Sequence, residues 1–173
     1  MDSAAALHFH VTQAKDTEAL FVDYGQQAAT WEYASARAIA KRYRVRLRRV
    51  RAAGLQPPRE GYIQGRNAFL IMTAVMALEP GPALVATGVH AGTPYYDCSQ
   101  GFFTAMQTVL DGYSDGQLVL STPFLGWTKR MIQVYCVRHR VPIHLTRSCQ
   151  SKRRKPCGTC VSCRDREALD ARS

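Results

Sequence analysis

Apolar residues along the chain fall into short blocks whose period switches between helix and strand. Ala4, Ala5, Leu7, Phe9 and Val11 mark a helix from Asp2 to about Ala14. The run ALFVDY (19–24) is short and apolar and ends at Gly25, as a buried strand does. Trp31, Ala34, Ala38 and Ile39 share one face of a helix over 28–43. In RYRVRLRRV, Arg42, Arg44, Arg46 and Arg48 alternate with Tyr43, Val45, Leu47 and Arg49. That period of two predicts a strand with one wet, basic face, suited to a sheet edge. Gly54, Pro57, Pro58 and Gly61 make 52–61 a loop. Helix returns at 67–78 and is stopped by Glu79-Pro80-Gly81-Pro82. A strand at 83–88, a loop at 90–99, a helix at 100–110, a break at 111–116, a strand at 118–121 and a helix at 128–139 complete the pattern.

Alternation of helix and strand in this order predicts an α/β fold with a parallel sheet and helices on both faces. In such folds ligands sit where strand ends meet helix N-termini. The first helix here arrives without a strand before it. A length of 173 residues suits one α/β domain, read over 1–145, followed by a cysteine-bearing segment over 146–173.

The formal net charge of +10 fits an anionic partner such as a nucleotide or nucleic acid, and equally a merely soluble basic protein. No run of about 18 apolar residues is present, and the first residues do not read as a secretory signal, so a cytoplasmic protein is expected.

Four of the six cysteines crowd into CQSKRRKPCGTCVSC (149–163). Cys157, Cys160 and Cys163 stand at C-x-x-C spacing, with Cys149 a short loop upstream and Gly158 to permit the turn. Four thiolates at such spacing suit a tetrahedral, structural Zn²⁺ and leave no open position for catalysis. Lys152, Arg153, Arg154, Lys155 and Arg164 would offset thiolate charge. Nucleic-acid binding by the KRRK run is the less favoured reading, since no aromatic residue is interleaved with it.

Other constellations are weak singly. Gly65-Arg66-Asn67 opens a helix and could hold an anion or be an ordinary cap. Asp97, among the aromatics of PYYDC, could accept two hydrogen bonds from a guanine-like edge or be a surface acid. Lys129, after Thr122-Pro123 and Trp127, could reach a phosphate or stay solvated. His8, His10, His90, His139 and His144 show no ligand spacing, and no Ser-His-Asp or Cys-His arrangement stands out.

Taken in order, VDYGQ (22–26), GRN (65–67), TGV (87–89), YDC (96–98), TPF (122–124) with Lys129, and the cysteine cluster resemble the 7-cyano-7-deazaguanine synthases. These are the QueC (ExsB) family of PP-loop ATP pyrophosphatases. The resemblance implies an adenine nucleotide alpha hydrolase-like fold and a homodimer. It implies conversion of 7-carboxy-7-deazaguanine and ammonia to 7-cyano-7-deazaguanine in queuosine biosynthesis, using ATP and Mg²⁺.

Family members carry a strand, then S-G-G-x-D-S, then a helix. Met1-Asp2-Ser3 looks like the last three positions of that loop. The family's first strand lies between the VDYG and TGV strands, so the expectation is that Met1 is internal to a longer native product; a degenerate paralogue is the competing reading.

By the same resemblance, Asp2 and Ser3 meet the phosphates, with Mg²⁺ neutralising them. Asp23, Tyr24, Gly25 and Gln26 line the nucleotide end. Arg66 and Asn67 hold phosphate or substrate carboxylate, Asp97 reads the deazaguanine edge, and Lys129 stabilises pyrophosphate. Cys149, Cys157, Cys160 and Cys163 hold Zn²⁺. The chain departs from the family in a shorter stretch before GRN, in Ser99 where an arginine follows Asp-Cys, and in AGTPYY. Alternatives are a non-catalytic relative or another adenylating ligase acting on RNA or a protein.

Overall fold

The computed structural model describes all residues except 14, 15, 56, 58–60, 91, 172 and 173. Six α-helices and four strands are described, in the order α1 (Asp2–Val11), β1 (Glu18–Asp23), α2 (Ala29–Tyr43), β2 (Arg46–Arg51), α3 (Arg66–Met76), β3 (Ala83–Ala86), α4 (Gln100–Ser114), β4 (Leu118–Ser121), α5 (Lys129–Arg138) and α6 (Val161–Asp170). The α/β alternation holds, and both strand pairings are parallel. The strands form two two-stranded sheets, β1 with β2 and β3 with β4. Register runs from Glu18 opposite Arg46 to Asp23 opposite Arg51, and from Ala83 opposite Leu118 to Ala86 opposite Ser121. Helix α3 packs against both β1 and β3 and so ties the pairs together.

Among the described residues the buried apolar side chains form two clusters, one between helices α1, α2 and α5 and one around β3 and β4. Small residues Ala4, Ala5 and Ala6 let α1 approach closely, and they pack with Ile39 of α2, Phe124, Ile132, Cys136 and Val141. The second cluster joins Ile71 of α3, Val85 of β3, Phe102, Phe103, Met106 and Leu110 of α4, and Leu118 of β4. The helix starts are set locally. Ser99 Oγ accepts the Phe102 N–H at 3.2 Å and Thr128 Oγ1 accepts the Met131 N–H at 3.3 Å, two side-chain N-caps.

Three expectations need correction. The arginine strand begins at Arg46, because Arg42 and Tyr43 complete α2 and Arg44 turns left-handed at φ 57° to close it. Its arginines are not confined to one face. Arg46 and Arg48 reach Glu18 at 3.2 and 3.3 Å, while Arg49, on the opposite face, bonds Asp23 at 2.5 Å and lies over the Tyr33 ring. Helix α6 also lies within a stretch that reads only as a cysteine segment. The expected end of α1 at Ala14 falls outside the described residues, as does part of the 52–61 loop.

Candidate functional site

The C-terminal ends of the parallel strands gather most of the singled-out residues, which is where α/β folds bind ligands. At the end of β3 the chain passes against the start of α1. A side-chain Cβ on Gly88 would lie 2.7 Å from Asp2 C and Ser3 N, so only glycine allows this approach. Asp2 Oδ1 and Thr87 Oγ1 are both buried there with no hydrogen-bond partner among the described residues. His90 Nε2 stands 3.8 Å from Asp2 Oδ2. A helix N-terminus without a side-chain cap, beside two buried polar atoms awaiting partners, suits an anion with its counter-cation. Thr87, Gly88 and His90 are the neighbours that complete this corner. Only TGV flagged the first two, and nothing in the sequence spacing linked His90 to Asp2.

At the end of β1, Asp23 is already engaged. Its carboxylate takes Arg49 at 2.5 Å, lies 3.9 Å from Arg51 and accepts the Gly25 N–H at 3.3 Å. The hydrogen bond from Arg49 is the main reason its acid strength is raised, pulling its pKa below the usual carboxylate range. Gly25, at φ 86°, makes the turn that a side chain would strain. Gln26 knits that turn: Oε1 accepts the Tyr24 N–H at 2.9 Å, and Nε2 donates to Val22 O at 3.2 Å and to Glu32 Oε2 at 3.1 Å. Asp23 and Gln26 therefore hold the loop in shape, and Tyr24 is the side chain it presents. Burial pushes the Tyr24 phenol up, and the Arg66 guanidinium bonded beside it opposes that shift. Glu32 is a further acid the sequence reading passed over. Burial raises its pKa, with Gln26, Arg147 and Arg66 pulling the other way.

Arg66 belongs to the third group, at the start of α3. Gly65, left-handed at φ 73°, sets that start. Asn67 and Asp97 are, among the described residues, the two buried polar ones, and they face each other. Asn67 Nδ2 donates to Asp97 O at 2.8 Å, and the Asn67 N–H lies 3.4 Å from Asp97 Oδ2. Asn67 Nδ2 and Asp97 Oδ1 each lie 3.8 Å from Cys98 Sγ. A carboxylate at the α3 N-terminus is electrostatically favourable, and it fixes the one-turn 3₁₀ helix Tyr96–Cys98. GRN, YDC and Tyr24 are thus one structural unit. Lys129 stands apart from it, at the first position of α5, where Asp165 of α6 meets it at 3.6 Å.

The cysteine group fits a metal. The four Sγ atoms of Cys149, Cys157, Cys160 and Cys163 all lie within 4.8 Å of one another. Cys149 to Cys157 is 3.6 Å and Cys157 to Cys163 is 3.9 Å. A tetrahedron with Zn–S bonds of about 2.3 Å has S···S edges of about 3.8 Å, whereas a disulfide needs about 2.05 Å. Backbone N–H groups of Cys157 and Cys160 point at the sulfurs of Cys149 and Cys157, at 3.3 and 3.4 Å. The Cys160 and Thr159 N–H groups bring the Cys157 thiol down to about 5, while burial first and the neighbouring thiols second push Cys163 up to about 12. Like-charged sulfurs so close cannot all ionise alone; a divalent cation removes that conflict. The four-cysteine group is compatible with Zn²⁺.

Among the described residues, no helix is long and apolar enough to cross a membrane. The family described as queuosine biosynthesis protein QueC matches residues 49–170. A 7-cyano-7-deazaguanine synthase of Synechococcus sp. (strain CC9605) is 35% identical over 115 residues, 62% of this chain and 51% of that protein. The synthase of Paracoccus denitrificans (strain Pd 1222) is 37% identical over 111 residues, 60% of this chain and 47% of the relative. That of Brucella canis (strain ATCC 23365 / NCTC 10854 / RM-666) is 36% identical over 112 residues, with 60% and 47% covered. The chain spans about half the length of the curated relatives it matches. With GRN, YDC and the cysteine group all inside the matched stretch, this chain belongs to the QueC family.

Proposed function

We propose that this chain takes part in ATP-dependent conversion of 7-carboxy-7-deazaguanine and ammonia to 7-cyano-7-deazaguanine. The observation that carries the reading is the joining of Tyr24, Arg66, Asn67, Asp97 and Cys98 at the strand ends, within a chain of the QueC family. In the reaction a substrate carboxylate oxygen attacks the α-phosphorus of ATP, and pyrophosphate leaves. Ammonia displaces AMP to give the amide and loses a proton. The amide oxygen is then activated by a second ATP in the same way, and loss of AMP and a proton leaves the nitrile.

The protein's part is positioning and charge stabilisation. Asp2 and the amides at the start of α1 would take the phosphates, with Asp2 Oδ1 free to ligate Mg²⁺. Ser3 stands at the same helix start. Tyr24 and Gly25 would line the nucleotide end, in a turn held by Asp23 and Gln26. Arg66 would pair with phosphate or substrate carboxylate. The Asp97 carboxylate would accept hydrogen bonds from a deazaguanine edge. Lys129 would stabilise departing pyrophosphate, and a structural Zn²⁺ on the four cysteines would secure the wall beside it. A homodimer is carried as part of the proposal.

The test incubates the protein with MgATP, ammonium and 7-carboxy-7-deazaguanine, and follows nitrile, AMP and pyrophosphate by mass spectrometry. Nitrile with AMP and pyrophosphate supports the reading. ATP binding with AMP formed only on an RNA or protein acceptor would move the chain to another adenylating ligase. No binding of ATP or deazaguanine would make it a non-catalytic relative.

A further inference from the structure

The KRRK run of the cysteine loop serves neither the core nor the proposed chemistry. Lys152, Arg153, Arg154 and Lys155 are all exposed, and none forms an ion pair among the described residues. Offsetting the metal centre does not account for them. Four thiolates around a divalent ion carry a charge of −2, while Arg147, the KRRK residues and Arg164 bring six cations, with no acid between 147 and 164.

The loop is also shaped rather than merely solvated. The Arg147 guanidinium sits inside it and donates to four carbonyls: Cys149 at 3.3 Å, Ser151 at 3.0 Å, Arg153 at 2.6 Å and Arg154 at 2.7 Å. With those carbonyls turned inward, the neighbouring cationic side chains project outward. Cys149 and Cys157, 3.6 Å apart, close the loop at its base. Trp31 of α2 donates its indole N–H to Lys152 O at 3.0 Å and pins the loop to the body of the protein. The aromatic residue absent from the run in sequence is thus supplied beside it in space.

We propose that this loop is a docking surface for the phosphate backbone of a nucleic acid. With the backbone of the loop already shaped, only the four side chains must order on meeting a row of phosphates, and arginine forks match phosphate oxygens. Residues 151–156 include no large apolar side chain, as a membrane anchor or a protein hot spot would need, and lysine is depleted from protein interfaces. The surface is independent of the deazaguanine reading.

The experiment measures binding of a fluorescein-labelled single-stranded RNA oligonucleotide to the full chain by anisotropy, across a salt series, with zinc content determined. Four phosphate contacts predict a slope of log affinity against log salt of about −2.8, so affinity falls roughly 50-fold between 50 and 200 mM salt. Replacing all four residues (K152Q/R153Q/R154Q/K155Q) is expected to flatten that slope with zinc content unchanged. Arg147→Lys keeps the charge and loses the carbonyl clamp, so it is expected to weaken binding at an unchanged slope. Absence of binding at 50 mM salt, a slope untouched by the fourfold variant, or equal binding of phosphatidylserine vesicles or polyglutamate would each overturn the proposal. Equal affinity of the Arg147→Lys protein would overturn the role given to the pre-shaped loop.

Discussion

A single methyl group placed at residue 88 tests whether the start of α1 is built against the end of β3. In Gly88→Ala the new Cβ lies 2.7 Å from Asp2 C and Ser3 N and 2.9 Å from Asp2 O. Non-bonded carbons settle at about 3.5–4.0 Å, so backbone must retreat by about 0.8 Å or more. No flexible side chain can absorb that shift, because all three neighbours are main-chain atoms. Overpacking of this kind costs about 1–3 kcal/mol. At about 2–4 °C per kcal/mol for a chain of this size, the melting temperature should fall by about 2–12 °C. The matched control is Gly112→Ala, on the exposed side of α4, where nothing lies within 4 Å of the added carbon. There the same methyl should stabilise by about 0.5–1 kcal/mol through helix propensity. Circular dichroism melts of the two variants should therefore move in opposite directions. Gly88→Ala melting with the wild type would refute the packing argument. If the start of α1 holds phosphates as proposed, the retreat of Asp2 and Ser3 should also weaken ATP binding at temperatures where Gly88→Ala stays folded.

Three more outcomes are expected. Asn67→Ala removes the donor to Asp97 O inside a buried pair and should cost about 1–3 kcal/mol, read as a lower urea midpoint; an unchanged midpoint would show the pair is not structural. The Asp23 pKa is depressed by Arg49, so its stabilisation is full above the unfolded carboxylate value of about 3.9 and is lost as pH falls through the lower folded value. Asp23→Asn should therefore flatten the acid limb of a stability–pH curve below about pH 4 and lower stability at pH 7. Cys157→Ser, or a strong chelator, should take the bound metal from one per chain toward none in elemental analysis, with loss of helical signal from Val161–Asp170.

Periodicity made most of the fold legible, and its failures have local causes. The core face of α4 stands out because its apolar residues repeat at helical spacing. ALFVD stands out as a short apolar run before a glycine, though Val22 alone of that run is buried, where the run predicts a strand buried throughout. RYRVRLRRV misleads by two to four residues, since alternation of arginine and apolar residues does not reveal that Arg44 adopts a left-handed cap. Helix α6, VSCRDREALD, escapes because its mostly polar sequence buries no residue; it is held by the cysteine group at its start and by Arg166 bonds to Thr146 and Ile143 O. At the site, cysteine spacing sufficed for the metal group. No spacing rule could join Asn67 to Asp97 across 30 residues, or Lys129 to Asp165 across two helices.

Those two pairings show how a fold of two short sheets can still position one site. Hydrogen bonding between strands, among the described residues, stops at each pair, so the ladder does not connect the VDYGQ strand to the TGV strand. Side chains carry the connection. Arg66, at the start of α3, faces Tyr24 beyond β1, while its neighbour Asn67 grips the Tyr96–Cys98 turn that follows β3. The cysteine group does the same from the far side. Cys160 caps the start of α6 and Cys163 lies within its first turn, so the sulfurs fix the helix that brings Asp165 to Lys129. The Lys129–Asp165 pair is partly exposed and adds little stability. Its consequence is where it leaves the ammonium group. Metal loss that releases α6 should therefore reach Lys129 before it reaches the core, because neither apolar cluster includes a residue beyond Leu145.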